Sequence, residues 1–372
     1  MTTTGTDSRR LRLGTRGSRL ALTQSGQVAE ALMAAGGGGT AGEAGDGSGG
    51  LGIDLVTVRT DGDGDRTPLR QLGGVGVFAA RLRHALLDGE VDLVVHSFKD
   101  LPTQPVEGLE VICVPAREDP RDALCARDGL TLADLPEGAR VGTGSPRRAA
   151  QLLAVRPDLE VVDLRGNVPT RLARVWGLEV VGVGTDEPVA PARADAAGDL
   201  DAVVLALSGL RRLGLEHCAS EVLDLETMLP APAQGALAVE ARAGEDSVEL
   251  ARAVAVLDDD PTRLAVTAER AIMARLGAGC AAPVGAWAHL RGGEQEQRVL
   301  VLRAVVTSLD GGQEVGCELS TELHEASGGP GAPGNTAAVR AAEALGARAA
   351  EVLLEDGAAQ IVDLNANKPR RD

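Results

Sequence analysis

ARVGTGSPRRAAQLLAV, residues 139–155, decides the fold: a short apolar strand, a Gly/Ser turn, an arginine pair, then a helix. The unit recurs as LEVVDLRGNVPTRLARV (159–175), with an RGN turn, and as LDAVVLALSGLRRLGL (200–215), with a Ser-Gly turn and a second arginine pair. Strands alternating with helices predict a mostly parallel α/β sheet, with ligands at the carboxyl ends of the strands. Between the second and third units, 177–198 reads as an inserted loop.

The first third continues the pattern. Arg10–Gly14 reads as a strand, and Ser18 as the N-cap of a helix over 19–35. The run 36–50, GGGGTAGEAGDGSGG, is low-complexity and reads as a flexible loop. A strand follows at 53–60, a helix near 78–88 ended by Gly89, and at 91–97 VDLVVHS, an apolar strand of the buried, parallel type. The last third differs: a helix near 262–276, the loop LGAGCAAP (276–283), a hairpin over 298–320 with a DGG turn, and a helix over 336–357. That is a small α+β unit. A chain of 372 residues exceeds one ordinary core, so two or three domains are expected.

Composition excludes several classes. With 44% hydrophobic and 24% charged residues the chain is globular rather than disordered. No run of 18 apolar residues exists, and the first residues lack an apolar signal core. A net charge of −17 opposes nucleic acid and anionic membranes, so an anionic ligand must meet a local arginine cluster. Five cysteines (113, 125, 218, 280, 317) form no CxxC pair, which favours reduced thiols in a cytoplasmic protein and no zinc site. The run DGDGD (61–65) reads as a solvated loop rather than a metal site, and no metal is expected.

Arginines supply the strongest chemical signal. Arg16, Arg147, Arg148, Arg165 and Arg212 all follow predicted strands, where helices are expected to begin, and Arg171 lies one turn into its helix. Helix N-termini offer free N–H groups and partial positive charge, and guanidinium forks match carboxylates two bonds at a time. A cleft between two such sheets would take a ligand with several anionic groups. In HSFKDLP (96–102), Lys99 is one of two lysines in the chain, and Asp100 places a carboxylate at a strand end. It could stabilise a developing cation or move a proton. Cys280, in a small-residue loop, could act as a nucleophilic thiolate. Each residue taken singly also admits a plainer role: a surface ion pair, a turn cap, a packed thiol. GTGSP (142–146) only faintly resembles a phosphate loop.

Together these stretches resemble the porphobilinogen deaminase family. The matching segments are GTRGSRLALTQ (14–24), VDLVVHSFKDLP (91–102), REDPRDAL (117–124), VGTGSPRRAAQL (141–152), LRGNVPTRL (164–172), LALSGLRRLGL (205–215), LPAPAQGALAVE (229–240), AERAIMARL (268–276) and GAGCAAPVGA (277–286), in family order. The resemblance implies an α/β fold of two periplasmic-binding-protein-like (type II) domains with mixed, mostly parallel sheets, plus a smaller C-terminal α+β domain. Domain 1 would span 10–115 with 236–254, domain 2 119–230, and domain 3 258–372. It implies a dipyrromethane cofactor joined to Cys280 through a thioether. Asp100 would be the catalytic aspartate. Lys99, Thr143, Ser145, Arg147, Arg148 and Arg171 would hold the cofactor's carboxylates, and Arg16, Ser18, Gln24, Arg165 and Arg212 the incoming porphobilinogen. The implied enzyme is a monomeric cytoplasmic transferase. It condenses four porphobilinogens with loss of ammonia and releases hydroxymethylbilane, on the route to haem. The competing reading is a non-enzymatic binding protein on the same cleft. Some positions depart from the family: Gln71 and Val75 stand where lysines are frequent, Gly144 and Pro146 where others are commoner, and Gly277-Ala278 where Glu-Gly is usual.

Overall fold

The computed structural model describes residues 10–37, 50–58, 77–180, 198–245, 247–279, 281–292, 297–323 and 336–364. The expected run 61–65, positions 71 and 75, Cys280 and most of the two inserted loops (38–49 and 181–197) lie outside the described residues.

The first sheet is built from β1 (Leu11–Thr15), β2 (Ile53–Thr57), β3 (Leu93–Ser97), β4 (Leu109–Cys113) and β10 (Leu237–Arg242), in the order β2-β1-β3-β10-β4. The second holds β5 (Asp122–Ala126), β6 (Arg140–Gly142), β7 (Glu160–Val162), β8 (Ala202–Ala206) and β9 (Glu221–Val222), in the order β7-β6-β8-β5-β9. The two follow one plan. Three parallel strands lie together, an antiparallel strand comes next, and an edge strand antiparallel to that one closes the sheet. These are two mixed, parallel-rich α/β sheets of the same strand order, as expected of the two large domains.

Helix α1 (Arg19–Ala35) buries Val28, Ala29 and Leu32 against the first sheet, beside Leu250 and Ala253 of α6 (Val248–Leu257). On the opposite face, α2 (Val77–Leu87) packs Leu82, Ala85 and Leu86 onto Val91 and Val94. In the second sheet, α3 (Pro146–Val155) covers one face through Leu152, and α4 (Val168–Leu172) with α5 (Leu207–Arg212) covers the other. The expected Ser-Gly turn after β8 is not a turn. Chain passes from Ala206 directly into α5, because Leu207, Leu210 and Leu213 recur on one helical face and are buried. Ser208 and Gly209 therefore lie inside that helix, and Arg212 ends it rather than beginning it.

The third unit is a smaller antiparallel sheet, β11 (Val284–Arg291), β12 (Arg298–Thr307) and β13 (Glu314–Leu323), packed against α7 (Asp260–Leu276), α8 (Thr336–Glu355) and α9 (Ala358–Ile361). Its core is largely alanine and leucine, and Gly346 of α8 lies so close to α7 that a Cβ there would sit 2.1 Å from the Ala268 carbonyl. Small residues thus let the two helices approach.

The chain crosses between the large sheets twice, after β4 and after β9. The Arg117 Nε donates to the Gln234 carbonyl at 2.7 Å, joining the two crossings. Fully buried Glu269 of α7 accepts from both Arg117 guanidinium nitrogens (2.7 and 3.0 Å), from the Ala233 N–H (2.6 Å) and from the Ala288 N–H of β11 (2.8 Å). One carboxylate therefore ties both crossings to the third unit. Ala233, at φ 63°, holds a backbone conformation that costs a non-glycine residue energy.

Candidate active site

Both antiparallel strands begin where the parallel strands end. In the register, Asp122 at the start of β5 faces Ala206 at the end of β8, and Leu237 at the start of β10 faces Ser97 at the end of β3. Residues arriving from the two crossings thus land at the carboxyl edge of the parallel strands, beside the sequence-predicted site.

On the first sheet, Arg16 follows β1 and Ser18 caps α1, accepting from the Ala21 N–H at 3.3 Å. Buried Gln24 accepts from the Ser97 hydroxyl at 3.1 Å. After Ser97 the chain makes one tight helical turn, Phe98–Asp100. Phe98 points into a small apolar cluster with Leu101, Val114, Ala236 and Val266, which leaves Lys99 half-buried and Asp100 exposed. Beneath the turn, His96 and Arg83 share the Glu240 carboxylate at 3.0 and 2.8 Å, all three buried.

On the second sheet, Thr143 Oγ1 accepts from the Ser145 N–H (3.2 Å), and Ser145 caps α3, accepting from the Arg148 N–H. Gly144 is required by space: a Cβ there would meet the Leu164 carbonyl at 2.5 Å. After β7, Asn167 caps α4 through the Thr170 N–H at 2.9 Å, and the Arg171 Nε donates to the Gly166 carbonyl at 2.7 Å.

Arg147 and Arg148 are buried and share one carboxylate. Asp122, fully buried, accepts from Arg147 at 2.7 Å, from Arg148 at 2.8 and 3.1 Å, and from the Gln234 amide at 2.7 Å. Burial alone would raise the Asp122 pKa, but the two guanidiniums outweigh it and hold it well below the ordinary range. The Gln234 side-chain oxygen accepts from the Lys99 ammonium at 3.1 Å, so one amide bridges the two sheets.

Lys99 lies within electrostatic reach of Asp100, Asp122, Arg147 and Arg148, and Arg171 of Asp100, Asp163, Arg148 and Arg165. Five cations meet three carboxylates in a chain of net charge −17. Burial, then Arg148 and Arg165, push the Arg171 pKa down to about 10, and burial pushes Arg147 down. Burial, with Arg148 and Arg147 adding, brings Lys99 down to about 8 against the pull of Asp100 and Asp122. Arg147 Nε and Arg165 Nη2 are buried without a hydrogen-bond partner among the described residues. Such a cluster is under-neutralised and favours an anion with several carboxylates.

Arg212 stands apart. Its Nη2 donates to the Gly235 carbonyl at 2.7 Å, its charge is met by Glu118, and it lines a cavity of about 330 Å³ at the crossings with Gln27 and Arg117. Cys280 lies outside the described residues. Before it in sequence, α7 ends at Leu276 and its C-cap Gly277 has a φ of 64°, the left-handed conformation that glycine adopts readily, which explains glycine at that position. Sequence reasoning assigned no role to Asp122 or Gln234, although REDPRDAL and LPAPAQGALAVE carry them.

Lys99 gives a pH-dependent prediction. Its folded-state pKa of about 8 lies below the ordinary 10.5, so burying the ammonium costs stability fully below pH 8 and progressively less between pH 8 and 10.5. Lys99→Met in the cofactor-free protein should raise the denaturant midpoint at pH 7, with a smaller gain at pH 10. Equal gains at both pH values would contradict this.

The porphobilinogen deaminase dipyromethane cofactor binding domain matches residues 11–250, and the porphobilinogen deaminase C-terminal domain matches 263–355. The chain belongs to the porphobilinogen deaminase family. The porphobilinogen deaminase of Cutibacterium acnes is 52% identical over 365 residues, covering 97% of this chain and 99% of its own. That of Micrococcus luteus is 49% identical over 389 residues, covering 97% and 98%. A solved TRAP periplasmic solute binding protein from Roseobacter denitrificans, with bound β-D-glucuronate, aligns over 66% of this chain and 76% of its own at 12% identity and a TM-score of 0.31, too distant to bear on function. The matched domain is the one that binds the dipyrromethane cofactor in this family. No helix among the described residues is long and apolar enough to cross a membrane.

Proposed function

We propose that this chain is the transferase that condenses four porphobilinogens head to tail, releases ammonia at each addition, and hydrolyses the product free as hydroxymethylbilane for haem and other tetrapyrroles. The observation that carries the reading is the cluster of five cations at the facing strand ends, in a strongly acidic chain, around one exposed aspartate. A pyrrole oligomer bearing acetate and propionate groups needs that surplus.

When bound through Cys280, dipyrromethane supplies a free pyrrole α-carbon as the nucleophile and a fixed starting point for elongation. The chain's residues do the rest. Lys99, Thr143, Ser145, Arg147, Arg148 and Arg171 hold the cofactor carboxylates. Asp122 fixes the direction of the two paired guanidiniums, leaving Arg147 Nε to be satisfied by a ligand oxygen. Arg16, Ser18, Gln24 and Arg165 orient the incoming porphobilinogen, while Arg212 contributes from the crossing it braces. Asp100 accepts hydrogen bonds from pyrrole N–H groups and stabilises the cation left on the ring and its methylene as the C–N bond of the substrate's protonated aminomethyl group breaks and neutral ammonia departs. The new C–C bond would form between that methylene and the attacking pyrrole α-carbon, which then loses its proton.

We further propose that 10–115 with 236–254, 119–230, and 258–372 act as three domains, in a cytoplasmic monomer. Sheet membership of β10 supports the first boundary, and buried thiols at Cys113, Cys125 and Cys218 suit a reducing compartment. The test is turnover: purified protein given porphobilinogen should release ammonia and a bilane that cyclises to uroporphyrin. Saturable binding of porphobilinogen without ammonia release would instead favour the carboxylate-binding protein.

A further inference from the structure

The turn that presents Asp100 is held from outside its own sheet. A single tight helical turn has little internal support; here its closing bond runs from the Leu101 N–H to the Phe98 carbonyl at 3.2 Å. The Phe98 N–H also donates to the Ala236 carbonyl at 3.0 Å, and Arg270, in the middle of α7, adds three bonds more. Its Nη1 donates to the Phe98 carbonyl at 3.1 Å and the Leu101 carbonyl at 2.7 Å, and its Nη2 to the Pro102 carbonyl at 2.8 Å. Its Cζ also lies 4.4 Å from the centre of the Phe98 ring. One rigid, planar group thus fixes backbone on both sides of Asp100 and seats the aromatic side chain two residues before it.

We propose that Arg270 is a positioning residue for the reaction: it sets where the Asp100 carboxylate stands, and refers that position to the helix leading into the Cys280 loop. The inference rests on the role assigned to Asp100 above. Several features favour it over mere packing. These three acceptors are backbone carbonyls, one in the turn and two just after it, so the bonds dictate chain position rather than side-chain burial. Arg270 lies behind the turn, lining with Phe98 and Glu240 a cavity of about 320 Å³ between the first sheet and α7. Helix α7 ends at Leu276, and Gly277 then leads to position 280. The same helix therefore grips the catalytic turn and runs directly into the stretch of sequence that carries Cys280. A lysine could reach some of these carbonyls but lacks the planar fork that meets three at once.

The test uses holoenzyme, with rates expressed per cofactor-loaded chain. Arg270→Gln should lower kcat by about 100-fold, the size of effect expected for misplacing a catalytic group by about 1 Å, with KM changed by no more than about threefold. Arg270→Lys should recover part of the loss and also serves should Arg270→Gln fail to fold. Hydrogen exchange should quicken over 97–103 in both variants and stay unchanged over 140–150. In a double-mutant cycle, Asp100→Asn with Arg270→Gln should be no slower than Asp100→Asn alone, because the two act through one carboxylate. Wild-type kcat per loaded chain, a loss seen only in KM or melting temperature, unchanged exchange at 97–103, or multiplicative losses in the cycle would each overturn the proposal. A near-wild-type Asp100→Asn single variant would instead remove the role of Asp100, and the exchange result would still decide whether Arg270 holds the turn.

Discussion

Asp100→Asn keeps its fold and its cofactor yet loses turnover by about 10²–10⁴-fold, the range expected for deleting a positioned charged catalyst. Asp100 is exposed at the end of its turn, so the isosteric amide removes no core packing and leaves stability within about 0.5 kcal/mol. What it removes is a negative charge in a region where Lys99, Arg171 and their neighbours otherwise make a cation costly; on the proposed mechanism this is the charge that faces the departing amine. The carboxylate is needed because the cluster that binds the substrate's acids opposes its positively charged intermediate. Steady-state kinetics per loaded chain, beside a denaturation curve, checks this. Turnover near that of the unaltered chain would take Asp100 out of the chemistry.

Asp122→Asn should do a different kind of damage. Arg147 and Arg148 are buried against Asp122, and removing one partner of a buried pair leaves uncompensated charge, a loss of about 3–5 kcal/mol. The expected outcome is a lower denaturant midpoint and a purified chain carrying little cofactor, since both guanidiniums lose their fixed direction. Because the Asp122 pKa is depressed, its contribution is present above the ordinary carboxylate value of 3.8 and drains away as pH falls below it. The variant should therefore show a shallower loss of stability on acidification through that range. A variant as stable and as fully loaded as the unaltered chain would contradict the reading.

Much of this was legible in the sequence, for identifiable reasons. Strand, turn and helix in 139–155 could be read because Gly142, Ser145 and the apolar spacing agree. Asp100 and the arginines after β6 and β7 stand at strand ends that the same pattern locates. Asp122 was not legible, since its place depends on β5 running antiparallel to β8, a pairing no local pattern encodes. Gln234 and Arg270 were hidden for the same reason: each reaches the Lys99 turn from more than 130 residues away in sequence. Arg212 was misplaced because buried leucines at 207, 210 and 213 overrode the turn tendency of Ser208-Gly209.

Intact mass measurement with peptide mapping of the 277–286 segment tests the central claim most directly. The account predicts a chain heavier than its sequence by one dipyrromethane, with the added mass on the peptide containing Cys280 and none on those containing Cys113, Cys125, Cys218 or Cys317. A chain of bare sequence mass after incubation with porphobilinogen, or an adduct on any of those other four thiols, would contradict it.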